Sequence, residues 1–343
     1  MPRVLGIDPG TISLDICALE DGRVFVDRSI PTAEALADPG FLPQLIESVG
    51  PLDLVAGPSG YGLPLVASRD LTERDVRLAC LAAPGESGGL GGLAAVMRGL
   101  ARARVPVVFT PGVIHLPSVP AYRKINRVDM GTADKVCAAA LAIHDEAVHR
   151  DCAPEEVSFI LLELGGAFSA ALAIERGRIV DGLGGTSGPM GMQGAGALDG
   201  ETAFLASPIS KSMLFKGGVR DLAVDEGRVA FVESALKAVA SLRVSAPLAG
   251  DVLLSGRLAT EPWVRDPLTA RLGRVRIAGS FASVAKHAAQ GAALLADGLA
   301  GGLSRHLVDT LGIRESSGTV LDHLHLVDRA TAARRIGILD DLH

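Results

Sequence analysis

Residues 4–24 read VLGIDPGTISLDICALEDGRV, and residues 160–179, ILLELGGAFSAALAIERGRI, lie beneath them without a gap. In that register Asp8 falls on Glu163, Gly10 on Gly165, Thr11 on Gly166, and Glu20-Asp21-Gly22-Arg23 on Glu175-Arg176-Gly177-Arg178. Each copy predicts a strand, a small-residue turn, a second strand, a glycine turn and a third strand. A repeat that carries an acidic residue and a glycine at the same place twice implies a chain built from two similar halves.

At the first turn of each copy, glycine lets the backbone approach a ligand and aim successive N–H groups at it. Thr11 and Ser13 add hydroxyl donors in the first copy. A carboxylate, Asp8 or Glu163, ends the first strand of each, where it could hold a hydrated Mg2+ or accept a proton. Two such hairpins facing each other would grip a polyphosphate from both sides. The plainer alternative is a pair of surface hairpins, and the matched acidic residue and glycine argue against it.

The 343 residues suffice for two domains with cores of their own. Hydrophobic residues at 48% with abundant glycine and alanine suit tightly packed α/β layers. No uncharged apolar run reaches the roughly 18 residues of a membrane span. The opening MPRVLGID enters a strand directly and has no basic-then-apolar signal pattern. Cys17, Cys80, Cys137 and Cys152 are scattered without a CxxC pair, which points to a reducing cytoplasm and argues against a disulfide scaffold, a structural zinc site or an iron–sulfur cluster. A net charge of −6, no basic block and only 3% aromatic residues argue against nucleic acid as a partner.

After the opening strands, residues 40–49 predict a short helix and 52–56 a buried strand that runs into the loop GPSGYGLP, residues 57–64. Residues 71–103 are helical in pattern, interrupted by PGESGGLGG at 84–92; 105–109 is a strand and 132–148 a helix. The second half repeats the order: strands over 158–181, a helix over 229–242, a strand at 251–254, a weaker helix over 263–272, a strand at 274–277 and a small-residue helix over 283–301. Both halves therefore read βββαβαβα. Domains are expected at 1–150 and 151–302, with an insertion at 182–228 and a C-terminal extension at 303–343. In that extension a helical piece precedes a strand over 319–327 and a helix over 330–339. His323 and His325 would share a face of that strand, with no acidic or cysteine partner to make a metal site.

These residues resemble a known superfamily, the acetate and sugar kinases, heat-shock ATPases and actin (ASKHA). IDPGTIS at 7–13 is similar to the NPGSTS phosphate hairpin of butyrate kinases, ELGGAFS at 163–169 to their HLGGGIS hairpin, and DVLLSGRLA at 251–259 to their DAIVLTGGLA adenosine-side turn. GTSGPMGMQGAGAL in the insertion resembles their acceptor-site loop. The whole sequence is similar to an uncharacterised family labelled predicted butyrate kinase. The resemblance implies two RNase H-like, actin-like ATPase domains around an interdomain nucleotide cleft. Departures accompany it: Asp8 replaces Asn, Glu163 replaces His, Asp15 stands near the motif lysine, and Arg257 replaces the second glycine of the adenosine turn.

The roles that follow are those of a phosphoryl-transfer site, where the protein positions groups and neutralises charge. Asp8 and Glu163 are assigned to Mg2+ or its water shell and, with Arg127 and Lys135, to catalysis. Gly10, Thr11, Ser13, Gly165 and Gly166 are assigned to the β- and γ-phosphates of ATP. Ser255 is assigned to nucleotide binding, Gly256 to close approach of the nucleotide's sugar and base, and Arg257 to the base or a phosphate, with a turn-capping surface arginine as its alternative. Arg127 and Lys135 are the preferred cations of the segment YRKINRVDMGTADK, residues 122–135, over Arg123 and Lys124, which read as a solvated charge run. Thr132 is the expected N-cap of the following helix, with Asp129 and Asp134 favouring its dipole. Ala138-Ala139-Ala140 and Ala288, Gly291-Ala292-Ala293 would let the two closing helices cross closely at an interdomain hinge.

The leading expectation is an ATP- and Mg2+-dependent kinase of a small molecule. The resemblance favours a carboxylate acceptor, and Asp8 keeps a hydroxyl acceptor open, because a carboxylate needs no base and an alcohol gains from one. A nucleotide-hydrolysing regulatory or assembly ATPase is the rival. A homodimer through the C-terminal extension is left open.

Overall fold

The computed structural model describes residues 2–38, 40–86 and 91–339. The first half runs β1 (Arg3–Pro9), β2 (Ser13–Glu20), β3 (Arg23–Pro31), α1 (Thr32–Ala37), α2 (Phe41–Ser48), β4 (Leu54–Pro58), β5 (Val66–Ala67), α3 (Glu73–Cys80), α4 (Gly91–Ala101), β6 (Val107–Thr110), α5 (Ala121–Lys124) and α6 (Ala133–Arg150). The second runs β7 (Phe159–Leu164), β8 (Ser169–Glu175), β9 (Arg178–Leu183), α7 (Gly200–Leu205), α8 (Val224–Ser245), β10 (Asp251–Ser255), α9 (Pro262–Leu272), β11 (Val275–Ile277) and α10 (His287–Leu299). Two short helices, α11 (Arg305–Leu311) and α12 (Arg329–Arg335), follow. Part of the glycine-rich interruption expected at 84–92 lies outside the described residues.

Two mixed sheets carry the duplication. The first has the order β3-β2-β1-β4-β6-β5 and the second β11-β10-β7-β8-β9, so β9-β8-β7-β10-β11 repeats β3-β2-β1-β4-β6. The gapless register holds down to single bonds. Gly10 N donates to Ser13 O at 2.9 Å, and Gly165 N to Phe168 O at 3.1 Å. The next turn is left-handed at Asp21 and Gly22 (φ 54° and 73°), and again at Arg176 and Gly177 (φ 50° and 68°). Two consecutive positive φ values give the turn a twist that matches its flanking strands, which is why glycine recurs there. Even the irregularity is repeated, between Ala18 and Leu19 in one copy and between Ala173 and Ile174 in the other.

Small residues set how the closing helices sit. A Cβ on Gly291 in α10 would lie 1.7 Å from the Cys137 carbonyl oxygen of α6, so the two helices cross backbone to backbone, as their alanine and glycine content predicts. A Cβ on Gly6 would lie 2.2 Å from Ala289 O and Ala293 N, so α10 rests directly on β1. One core spans the first sheet, α6 and α10. A second lies between the second sheet and α8, whose Phe231, Ala235, Val239 and Leu242 recur on one face. Burying each large side chain of that face contributes about 1.5–3 kcal/mol.

Polar anchors tie the second half to the first. Arg276 of β11 pairs with Asp145 (2.6 Å) and Glu146 of α6, and Asp145 also accepts from Gly279 N at 2.8 Å. Asp27 of β3 accepts from the successive N–H groups of Ser283, Val284 and Ala285, which sets the chain just before α10.

The strand expected over 319–327 does not form. Local side chains satisfy its backbone: Asp322 accepts from Thr319 N at 2.6 Å, and Asn126 Oδ1 accepts from His325 N and Leu326 N at 2.7 and 2.9 Å. Side-chain acceptors of this kind compete with a strand ladder. Among the described residues no group of three or more His, Cys, Asp or Glu could hold a metal ion, and no helix is long and apolar enough to cross a membrane.

Candidate functional site

The two first turns line opposite walls of a cleft of about 580 Å3 between the halves. Each is tethered from behind. Thr32 donates through its hydroxyl to Gly10 O at 2.7 Å and through its backbone to Ile12 O at 3.0 Å. Gln193 N donates to Ala167 O at 2.9 Å, and Phe215 packs edge-on against Phe168, ring centroids 4.7 Å apart. The glycines divide by cause. A Cβ on Gly165 would meet Phe168 O at 2.6 Å, so the turn itself requires glycine there. A Cβ on Gly166 would make only an ordinary contact, with Ile12 Cδ1 of the first turn at 3.5 Å, so the packing of the second turn does not itself require glycine there. A backbone without a side chain at a cleft-lining position suits close approach by a ligand.

Asp8 ends β1 facing the cleft, 7% exposed, and among the described residues no hydrogen bond reaches its carboxylate. Burial first and Asp134 next push its pKa up to about 7. A near-buried carboxyl with no partner is costly unless it serves a ligand, a proton or a metal.

Beside it Lys135, in the first turn of α6, pairs with Asp134 at 2.7 Å and with Glu163 at 2.6 Å. Burial alone would lower the lysine's pKa, and the two carboxylates outweigh it and hold it protonated. Burial is the largest influence on Asp134 and raises its pKa, but the charge of Lys135 and the hydrogen bonds from Lys135, Thr132 and the backbone together hold it below the usual range. Thr132 stands at the N-cap of α6, but its hydroxyl donates to Asp134 Oδ1 and caps no backbone N–H. Asp15, the register partner of Asp8 on β2, pairs at 2.7 Å with Lys286, the N-cap of α10, and Ser13 Oγ donates to the same carboxylate at 2.8 Å.

At the end of β10, Gly256 turns with φ 89°, and a Cβ there would lie 2.5 Å from Leu164 O. Ser255, fully buried, shares a 2.8 Å hydrogen bond with His287 Nδ1, and burial lowers the His287 pKa so that the ring is neutral near pH 7. The insertion closes the remaining wall. Asp129 accepts from Thr186 N and Oγ1, both at 2.8 Å, which ties the insertion to the loop before α6.

Of the residues expected from sequence, Asp8, Gly10, Thr11, Ser13, Lys135, Glu163, Gly165, Gly166, Ser255, Gly256 and Arg257 line this cleft. Arg127 does not. Asn126 turns the chain at φ 51° after α5, which leaves Arg127 exposed and away from the cleft lining. Its neighbours are structural: Arg123 donates to Val180 O at 2.7 Å, and Lys124 to Leu116 O at 3.1 Å. Lys286 is the main cleft group that sequence reasoning misses. Its partner Asp15 lies 271 positions away, and only the fold brings the two together.

The solved structures similar to this chain include acetate kinase from Entamoeba histolytica, with a TM-score of 0.55 and 14% identity over 79% of this chain and 86% of that one. Acetate kinase from Porphyromonas gingivalis is similar at a TM-score of 0.53 and 13% identity, over 78% of this chain and 86% of that one. At such identities the likeness is one of fold, the duplicated two-domain architecture of the actin-like ATPases. No curated protein matches the sequence. A family model described as "Protein of unknown function (DUF1464)" matches residues 6–326.

Proposed function

We propose, for a chain that belongs to the DUF1464 family, an ATP-dependent phosphotransferase acting on a small metabolite. The observation that carries the reading is the near-buried, unpartnered Asp8 carboxyl in a cleft walled by two equivalent glycine turns. Backbone N–H groups of the two turns hold the phosphates, with the Thr11 hydroxyl as a further donor. Gly256 lets the nucleoside lie close to the chain, beside Arg257. A Mg2+ ion would supply charge neutralisation between phosphate oxygens. Asp8 and Glu163, on opposite walls, fit its water shell, since Mg2+ uses one or two protein carboxylates and keeps several waters.

A carboxylate acceptor is the first reading, supported by the acetate kinases that share the fold. In that reaction an acceptor oxygen bonds to the γ-phosphorus, the bond to the β-phosphate oxygen breaks, and an acyl phosphate and ADP leave. Lys135, held protonated, is the cation suited to the charge that accumulates on the transferring group.

Asp8 favours a second reading. A carboxyl with its pKa near 7 is matched to general-base work at neutral pH, which a hydroxyl acceptor would use. The alcohol proton would then pass to Asp8 as the oxygen bonds to phosphorus. Conversion of MgATP to MgADP, measured with short carboxylic acids and separately with small alcohols, tests both. Acceptor-dependent turnover supports a kinase, and acceptor-independent turnover points to a regulatory ATPase.

A further inference from the structure

The first glycine turn carries no cation of its own: residues 8–15 read DPGTISLD, and the two acidic residues are register partners on β1 and β2. The positive charge at this place comes from 271 positions further along. Lys286 Nζ lies 2.7 Å from Asp15 Oδ2 and 3.3 Å from Ser13 O. It stands over the turn itself, since a Cβ on Gly10 would sit 2.8 Å from it.

The partners differ in freedom. The Asp15 side chain is 1% exposed and fixed, whereas that of Lys286 is 38% exposed and lines the cleft. Lys135, the other cleft lysine, is already held between two carboxylates and its side chain is only 16% exposed. A polyphosphate entering beside Asp8, Asp15, Asp134 and Glu163 therefore meets repulsion that Lys286 is the better placed to offset.

We propose that Lys286 contacts the β- or γ-phosphate at the first turn and that Asp15 is the positioning residue that holds it ready. The two lysines are reciprocal. α6 follows the first sheet in sequence and sends Lys135 to the turn after β7, and α10 follows the second sheet and sends Lys286 to the turn after β1. Phosphate binding thereby engages both halves at once. This inference rests on the phosphotransferase reading above.

The test is calorimetric titration of the full chain with the magnesium complex of a non-hydrolysable ATP analogue. Lys286→Ala is expected to weaken binding about tenfold, and Lys286→Arg to stay within threefold of the unaltered protein. The exchange Asp15→Lys with Lys286→Asp, which returns the charge to the turn's own strand, is expected to recover most of the loss. An effect of Lys286→Ala below fivefold, or a loss that neither Lys286→Arg nor the exchange recovers, overturns the proposal and leaves the lysine a role in the fold alone. If the unaltered protein itself does not bind the analogue, the phosphotransferase reading fails, and this inference falls with it.

Discussion

Lys135 Nζ lies 2.6 Å from Glu163 Oε2, so a side chain from the helix that closes the first half is ion-paired with the strand end that opens the second glycine turn. Both side chains are mostly buried, at 16% and 13% exposure. Breaking a buried pair by removing one partner strands a charge and costs about 3–5 kcal/mol. Lys135→Met should therefore lower stability in urea by that order. Adding Glu163→Gln and Asp134→Asn should recover more than half of the loss, because no unpaired charge then remains. A triple variant no more stable than the single would show that the lysine matters through packing alone.

Two glycines separate fold from ligand. Gly291→Ala would press a methyl into the Cys137 carbonyl of the facing helix and force α6 and α10 apart, costing about 1–3 kcal/mol or more. Gly166→Ala meets only a flexible isoleucine end and should leave the melting temperature within a degree or two of the unaltered protein. It should instead weaken nucleotide binding, if the phosphates approach the backbone there. Melting curves and nucleotide titrations on the two variants should give opposite patterns.

The fold was legible in the repeat because each copy of the hairpin needs glycine at its tight turn, where a Cβ would meet the carbonyl of Ser13 or Phe168, and the matched acidic position marks the two copies as equivalent. The close crossing of α6 and α10 was legible for the same reason, since only small residues let two helix backbones touch. What sequence did not show is long-range. Lys286 falls inside the helix expected over 283–301 and Asp27 carries no motif, and folding places one on Asp15 and the other on the N–H groups of 283–285. Arg127 misled because charge density before a helix says nothing about which way the chain turns, and the left-handed Asn126 decides that. Residues 319–327 have strand-like composition, and Asp322 and Asn126 take the backbone donors that a strand would have used.

Asp8 makes stability depend on pH in a stated direction. Its folded pKa, about 7, lies above the ordinary 3.8, so between those values the folded state binds more protons than the unfolded state. Stability from this group therefore falls as pH rises through that window and stays lowest above it. Asp8→Asn removes the cost of an ionised, buried carboxylate. It should stabilise the protein above pH 7 by up to ~4 kcal/mol and by much less at pH 5. Thermal melts of both proteins across this range check it, and parallel curves would refute the assignment of the raised pKa to Asp8.

Phosphoryl transfer from ATP to a small acceptor between the two turns is read out by 31P NMR. The protein with MgATP is given short carboxylic acids in one set and small alcohols in another, each repeated with Asp8→Asn. The expected result is a phosphorus resonance distinct from ATP, ADP and free phosphate. An acyl phosphate that persists in Asp8→Asn would identify a carboxylate kinase, and a phosphate ester lost in that variant a hydroxyl kinase. ADP and free phosphate released at the same rate whatever acceptor is present, or no turnover at all, would contradict it.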